Sequence, residues 1–371
     1  MTACAIEAAA DGEGAARPSK FTITASGAYA ARLAGSGDAL YAERWTLDGP
    51  EPYAVPLPLD QPEDPDAQVL PLADGRVLIC RRVAERRTFS LLYPTGPRTG
   101  ELSLGAVESD ADLVLLPPSP DGTCAYAMAV GPYTTELWLV AGGAFGPERV
   151  AEIKGACTGG VWLDRTGRML ALDRRLDDGP TKAVAVDLER GGEVTPLLQI
   201  TEESDDRLLL ADADSGLLLI GSDAPSPGRE RLGWGVLGST RPVRFPDCLD
   251  PADTRVTPFA VQPGQVLLPE SCSVALRMDA GAGGWVGMWA PSSRRVAQLA
   301  APAGWLDGTG VWTPQGTLRL PYATPAAPCG VAALELPPAP PEPAPVVEPC
   351  RPVPLQQALL PGGKAADIKA R

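Results

Sequence analysis

The chain of 371 residues contains no histidine. Without an imidazole, neither a Ser-His-Asp nor a Cys-His nucleophile system can be assembled from this chain alone. Zinc, copper and haem sites that depend on histidine are excluded with them, as is acid–base catalysis by imidazole. The sequence also lacks a Gly-x-Ser-x-Gly motif, which serine hydrolases of the α/β type need for their nucleophile. The most common hydrolase chemistries are therefore excluded.

Long apolar runs are missing as well. No run approaches the roughly 20 residues that a helix needs to cross a bilayer, so we expect no membrane partner. The segment Met1–Asp11 has neither the basic head nor the continuous apolar stretch of a signal peptide. These absences predict a cytoplasmic protein.

Positive charge is scarce relative to negative charge. The chain has 46 Asp and Glu against 32 Lys and Arg, a formal net charge of −14. This sign is wrong for a nucleic-acid partner, because phosphate backbones attract basic surfaces. The eight cysteines form no Cys-x-x-Cys pair, and we interpret most of them as small buried apolar residues.

Glycine and proline are abundant, with 40 and 41 residues, and one set of glycines is periodic. Successive members lie 48, 47, 45, 49, 48 and 52 residues apart, each between two short apolar runs; the set is Gly27, Gly75, Gly122, Gly167, Gly216, Gly264 and Gly316. A strand, a tight glycine turn and a second strand are typical of β-hairpins. A period of this length is typical of one four-stranded propeller blade.

The repeat predicts an all-β fold, a seven-bladed β-propeller of four-stranded antiparallel blades that forms a single domain over residues 20–360. The predicted blades lie near 20–60, 67–107, 111–153, 156–200, 204–249, 252–302 and 304–360. Residues 1–19 are predicted to be a flexible leader, with an added edge strand as the alternative, and residues 361–371 a tail. The third strands carry bulky residues at matching positions, including Trp45, Trp138 and Trp234, which we interpret as packing between blades.

The clearest repeat reads Ser119-Pro120-Asp121-Gly122-Thr-Cys-Ala-Tyr-Ala, followed by Thr135-Glu-Leu-Trp-Leu-Val140. In these residues the chain resembles the TolB-like and WD40-like propeller repeat of bacteria. The resemblance covers residues 20 to 360 and implies a propeller fold and a binding role rather than an activity.

In such a propeller, the connections between blades and the turns between second and third strands share one face. Five of the seven predicted blade junctions on this face are acidic. Their residues are Asp60, Glu63, Asp64 and Asp66; Glu108, Asp110 and Asp112; Glu202, Glu203, Asp205 and Asp206; Asp247, Asp250 and Asp253; and Asp307. Converging carboxylates attract a metal ion, a polyamine or a basic peptide, whereas aspartate is also a common turn residue without any ligand. Both interpretations remain open.

Basic and aromatic residues are predicted on the same face. Arg81 and Arg82 lie at the second-to-third-strand turn of the second predicted blade, and Arg174 and Arg175 occupy the same place in the fourth. With Tyr133 and Trp305 they form a candidate pocket for an anionic or aromatic small molecule. The alternative is that they form solvated salt bridges with neighbouring acids. The candidate ligand-binding residues are Asp110, Asp112, Asp205, Asp206, Asp253, Asp307, Arg81, Arg82, Arg174, Arg175, Tyr133 and Trp305.

Two functions fit these observations. The first is a non-catalytic module that binds or assembles a protein partner through its acidic loop face, without a cofactor. The second is a propeller enzyme of the lyase, cyclase or lactonase type that uses carboxylates as acid and base, with a calcium ion as a candidate cofactor. Asp110, Asp205, Asp253 and Asp307 are the candidate carboxylates for the second function.

Overall fold

The computed structural model describes residues 21–109, 111–263, 268–281, 283–306 and 308–335. Within them the chain is almost entirely β-structure, arranged as consecutive antiparallel strand groups. The predicted leader 1–19, the segment 336–360, the tail 361–371 and the candidate residues Asp110 and Asp307 lie outside the described residues.

The first four strand groups contain four strands each. They are β1–β4 (Thr22–Ile23, Tyr29–Ala34, Tyr41–Thr46, Tyr53–Leu57), β5–β8 (Gln68–Pro71, Val77–Val83, Arg86–Pro94, Thr99–Glu108), β9–β12 (Asp112–Leu115, Ala125–Val130, Thr134–Ala141, Glu148–Lys154) and β13–β16 (Ala156–Trp162, Met169–Arg175, Thr181–Asp187, Glu193–Leu198). Each runs as a meander in which neighbours in sequence pair antiparallel.

The remaining groups follow the same plan. They are β17–β19 (Asp206–Ala211, Leu217–Ser222, Arg231–Val236), β20–β23 (Arg255–Val261, Val274–Ala280, Gly283–Trp289, Ala297–Leu299) and β24–β26 (Val311–Trp312, Thr317–Tyr322, Gly330–Glu335). A bridge between Trp234 and Arg244 extends the fifth group beyond β19. One parallel pair, Lys182 with Asp206, joins the fourth and fifth groups into a seven-stranded sheet. Three short 3₁₀ helices lie at Leu188–Arg190, Asp247–Leu249 and Pro269–Ser271.

The periodic glycines that the structure describes, which exclude Gly264, lie in the turns between the first and second strands, as predicted. The six that the structure describes all have a positive φ, from +68° at Gly122 to +87° at Gly316. An L-residue with a side chain rarely adopts this conformation, whereas glycine does so without steric penalty. In these six groups the repeat therefore follows from a shared backbone requirement.

The core consists of apolar clusters, each of which lies between one strand group and the next. A further cluster packs Phe21 and Trp45 of the first group against Leu306, which precedes the last group, and Val331, which lies in it. The Arg319 guanidinium of β25 also donates a hydrogen bond to the Leu47 carbonyl. The groups therefore form a closed ring in which the first and last are neighbours. No helix among the described residues is long and apolar enough to span a membrane.

Candidate functional site

The connections between strand groups and the turns between second and third strands lie at one end of the ring. The N–H of Thr181, the first residue of β15 directly after a second-to-third-strand turn, donates to the Asp205 carboxylate in a connection between groups, at 2.7 Å. A bridge joins Trp305 to Tyr322 in the same way near the last group. We call this end the loop face. These contacts bring the two kinds of loop together at the fourth and fifth groups and near the last group.

A cleft of about 450 Å³ opens on the loop face between the fourth and fifth strand groups. It brings together two residues that the sequence predicted, Arg175 and Asp205. Its charged lining residues are Asp173, Arg175, Asp205, Arg207, Asp223 and Glu230. Four carboxyl groups therefore share the cleft with two guanidinium groups. We call it the Asp173 cleft.

Asp173 is the buried member of this set, with 3% of the residue exposed. It lies on β14, and its carboxylate accepts hydrogen bonds from the Leu208 N–H at 2.9 Å and the Arg207 side chain at 3.5 Å. A bulge in the facing strand β13 places Gly159, with φ +78°, beside it. A Cβ atom at Gly159 would lie 3.0 Å from Asp173 Oδ2. The bulge therefore leaves room at the carboxylate that a side chain would fill.

Two carboxyl groups of the cleft have pKa values shifted in opposite directions. Burial raises the pKa of Asp173, and the Leu208 N–H and the Arg207 guanidinium oppose this shift only in part. The N–H groups of Gly228 and Asp205 donate to Asp223 and hold its pKa below the usual value. Opposed pKa values in one cleft are what a general acid and a general base need.

The raised pKa of Asp173 predicts a pH-dependent stability difference from an Asp173→Asn variant. The native state retains the proton above the ordinary value of 3.8, so the native state binds more protons than the unfolded state in that window. We therefore expect the wild-type protein to lose stability relative to Asp173→Asn as the pH rises above about 4 and through the native pKa. Urea unfolding midpoints measured between pH 4 and 8 test this.

The control is Asp223→Asn, where the sign is opposite. Because the native pKa of Asp223 is lowered, the wild-type protein gains stability relative to Asp223→Asn only as the pH rises towards 3.8, and the difference between these two proteins should stay constant from pH 4 to 8. A gap between wild type and Asp173→Asn that stays constant from pH 4 to 8 would contradict the assignment.

The predicted residues Arg81 and Arg82 line a different cleft of about 1100 Å³, between the first and second groups. Arg81 donates to both carboxylate oxygens of Glu63, at 2.7 and 2.8 Å, and to Glu101 at 2.6 Å. The Glu63 side chain is 5% exposed, so Arg81 holds a buried acid in place. Arg82 is exposed. Arg81 and Arg82 thus line one cleft and Arg175 another, whereas Arg174 lines neither.

The carboxylate of Asp206 is fully buried and has internal partners. It accepts hydrogen bonds from Lys182 Nζ at 2.8 Å, the Ile200 N–H at 2.9 Å and the hydroxyls of Ser204 and Ser222. This arrangement joins the fourth and fifth groups. A ligand-binding role of Asp206 stays a prediction.

The other predicted residues are dispersed over the loop face. Asp112 and Asp253 are exposed, as is Tyr133, with 73% of its surface accessible. Trp305 is half-buried, and its indole N–H donates to the Thr309 carbonyl at 2.7 Å. Arg174 is half-buried beside Arg175. Neither Tyr133 nor Trp305 lines the two clefts described above.

Among residues 21–335, apart from the undescribed positions, no group of three or more His, Cys, Asp or Glu side chains is placed to hold a metal ion. The calcium ion considered from the sequence stays a prediction.

Sequence reasoning missed Asp173, Arg207, Asp223 and Glu230. The sequence marks Asp173 only weakly, as a charged residue that directly follows the apolar run Met169-Leu-Ala-Leu. Its main partners lie 34 and 35 residues further along the chain, and spacing alone does not reveal that contact.

No protein-family model and no curated protein sequence matches the chain. Solved structures do. Hydrazine synthase from Kuenenia stuttgartiensis aligns with a TM-score of 0.55 and 13% identity, over 90% of this chain and 99% of that one. The β-propeller domain of the Trilobed protease from Pyrococcus furiosus aligns at 0.52 and 10% identity, over 85% and 95%. Oligogalacturonate lyase from Vibrio parahaemolyticus aligns at 0.51 and 11% identity, over 85% and 88%.

These likenesses concern the fold, because sequence identities near 10% do not carry function. Together with the antiparallel strand groups and the ring of apolar clusters, they place the chain among the β-propellers. The predicted propeller fold is thereby confirmed at this level.

Proposed function

We propose that the chain is a seven-bladed propeller of the TolB-like and WD40-like type that works in the bacterial cytoplasm as a non-catalytic binding or assembly module. Seven strand groups, joined by seven apolar clusters, support the blade count. The partner that fits the acidic loop face best is a protein with a basic surface.

The observation that carries this proposal is the way the loop-face carboxylates are held. Asp205 is exposed, and its carboxylate accepts the Thr181 N–H. Asp223 accepts the N–H groups of Asp205 and Gly228. Backbone donors thus fix these acids while leaving lone pairs free, so a cationic partner meets ordered charges and less side-chain entropy is lost on binding.

Binding of fluorescein-labelled octalysine, measured by fluorescence anisotropy at low salt, tests the proposal. The test variant is Asp112→Asn/Asp205→Asn/Asp253→Asn, which removes three exposed charges from the loop face. Asparagine tolerates the positive φ of +56° at Asp253. Because exposed pairs contribute roughly 0.2–1 kcal/mol each, we expect the Kd to rise about 10-fold.

The matched control is Glu148→Gln/Glu189→Gln/Glu193→Gln, which changes the net charge equally. These glutamates are exposed and lie at or between third and fourth strands, at the end of the ring away from the loop face. We expect its Kd to stay within about 2-fold of wild type. Equal weakening in both triple variants, or no binding by the wild-type protein, would refute the proposal.

One observation favours the enzyme alternative: Asp173 and Asp223, with pKa values shifted in opposite directions, line the same cleft. In this alternative Asp173 is the general acid and Asp223 the general base. An assay of lyase and lactonase substrates, with Asp173→Asn as the inactive comparison, tests it. Activity that survives the substitution would remove this support.

A further inference from the structure

A cavity of about 860 Å³ lies at the end of the ring opposite the loop face. Its walls are first strands and first-to-second-strand turns from six of the strand groups, including Ala25, Pro117, Leu209, Ala213 and Trp312. Segments of six groups meet around one space only where the groups converge. The cavity is therefore the mouth of the central channel, at the end that the sequence did not single out.

The walls of this cavity are largely apolar and held in place. Trp162 lines it, and its indole N–H donates to the Pro117 carbonyl at 3.2 Å while its ring packs on Tyr126 with centroids 5.4 Å apart. Trp312 also lines it, with 3% of the residue exposed. Leu209 adds an aliphatic surface. The Trp162 ring is thus ordered without a ligand, which lowers the entropic cost of binding.

The charged residues at the rim already have hydrogen-bond or ion-pair partners within the protein. The Asp164 carboxylate accepts the N–H groups of Thr166 and Met169, at 2.9 and 2.8 Å. Asp212 accepts the Ser215 N–H at 2.9 Å. Arg165 and Asp214 form an ion pair between the fourth and fifth groups. A charged ligand would have to compete with these bonds, whereas a neutral one would not.

We propose that this channel mouth is a binding site for a neutral small molecule with a flat, apolar body. Its volume lies within the roughly 300–1000 Å³ of ligand sites, and mainly apolar walls with aromatic surfaces are typical of them. A ligand here contacts several strand groups at once, so binding also stabilises the closed ring. The site is separate from the acidic loop face and does not depend on its function.

The probe for this site is N-phenyl-1-naphthylamine, a neutral aromatic dye that fluoresces strongly in apolar surroundings. We expect saturable binding to the wild-type protein and a higher melting temperature in its presence. The variant Ala25→Trp/Ala213→Trp fills the cavity from two exposed turn positions. We expect it to raise the Kd of the dye at least about 10-fold, because the bulky rings occupy its space.

Two controls decide between this site and general dye adhesion. Ala252→Trp adds an indole at an exposed position of the loop face, and the Kd should stay within about 2-fold of wild type, since the cavity is unchanged. 8-Anilinonaphthalene-1-sulfonate has a similar aromatic body with one negative charge, and it should bind at least about 10-fold more weakly. Loss of neutral-dye binding in Ala252→Trp, unchanged binding in Ala25→Trp/Ala213→Trp, or equal affinity for both dyes would overturn the proposal.

Discussion

Replacing Asp206 with alanine is expected to lower the free energy of unfolding by about 3–5 kcal/mol, the range for breaking a buried ion pair by removing one partner. Asp206 is fully buried, whereas the Lys182 side chain is 18% exposed. The substitution leaves the Lys182 ammonium and the Ser222 hydroxyl without their carboxylate acceptor. The measurement is urea denaturation followed by tryptophan fluorescence.

The neighbouring acid is the matched control. Asp205 precedes Asp206 in the same connection but is exposed, so Asp205→Asn should change stability by less than about 1 kcal/mol. In a Lys182→Met background, Asp206→Ala should cost less, because no ammonium then loses its carboxylate partner. A loss under about 1 kcal/mol for Asp206→Ala in the wild-type background would show that this network does not hold the two strand groups together.

A second large loss of stability is expected for Trp45→Ala, at the junction of the first and last strand groups. Trp45 is 0% exposed and packs edge-on against Phe21, with ring centroids 5.1 Å apart. Its indole N–H donates to the Glu43 carboxylate at 2.7 Å. Removing a buried aromatic side chain costs about 3–5 kcal/mol. The free energy of unfolding from urea titration measures the loss.

Trp138→Ala is the comparison, because Trp138 occupies the corresponding third strand but is only partly buried, between the second and third groups. We expect it to cost about 1–2 kcal/mol. Trp45→Phe keeps most of the apolar volume and should fall between the two. If Trp45→Ala and Trp138→Ala are equally destabilising, the junction of the first and last groups contributes no more to stability than the junction of the second and third.

Much of the fold could be predicted because its signals are local. A glycine turn needs a positive φ, and this requirement marks six of the strand groups in the sequence. The third group, predicted near 111–153, contains strands from Asp112 to Lys154. The run Gly233–Gly238 matches a dinucleotide-binding pattern, yet its apolar alternation and the absence of a following helix favour a strand, and the structure places it largely in β19 (Arg231–Val236).

The candidate site could be predicted only in part, because it depends on contacts between groups. Asp205 and Asp206 are indistinguishable as residues of one acidic loop, but strand alternation turns one outward and the other into the core. Asp173 becomes important through Leu208, which lies in the next group. A carboxyl group's neighbours, and hence its pKa, are set by tertiary packing that no local pattern records.

The hydrogen bond from Arg319 to the Leu47 carbonyl joins residues 272 positions apart, so the first and last strand groups meet only late in the synthesis of the chain. During translation the surface of Phe21 and Trp45 that the last group covers has no partner until the last strand group leaves the ribosome. The early strand groups can pair internally as they emerge, since their contacts are local. The nascent chain thus carries an open apolar edge until its last strand group is made.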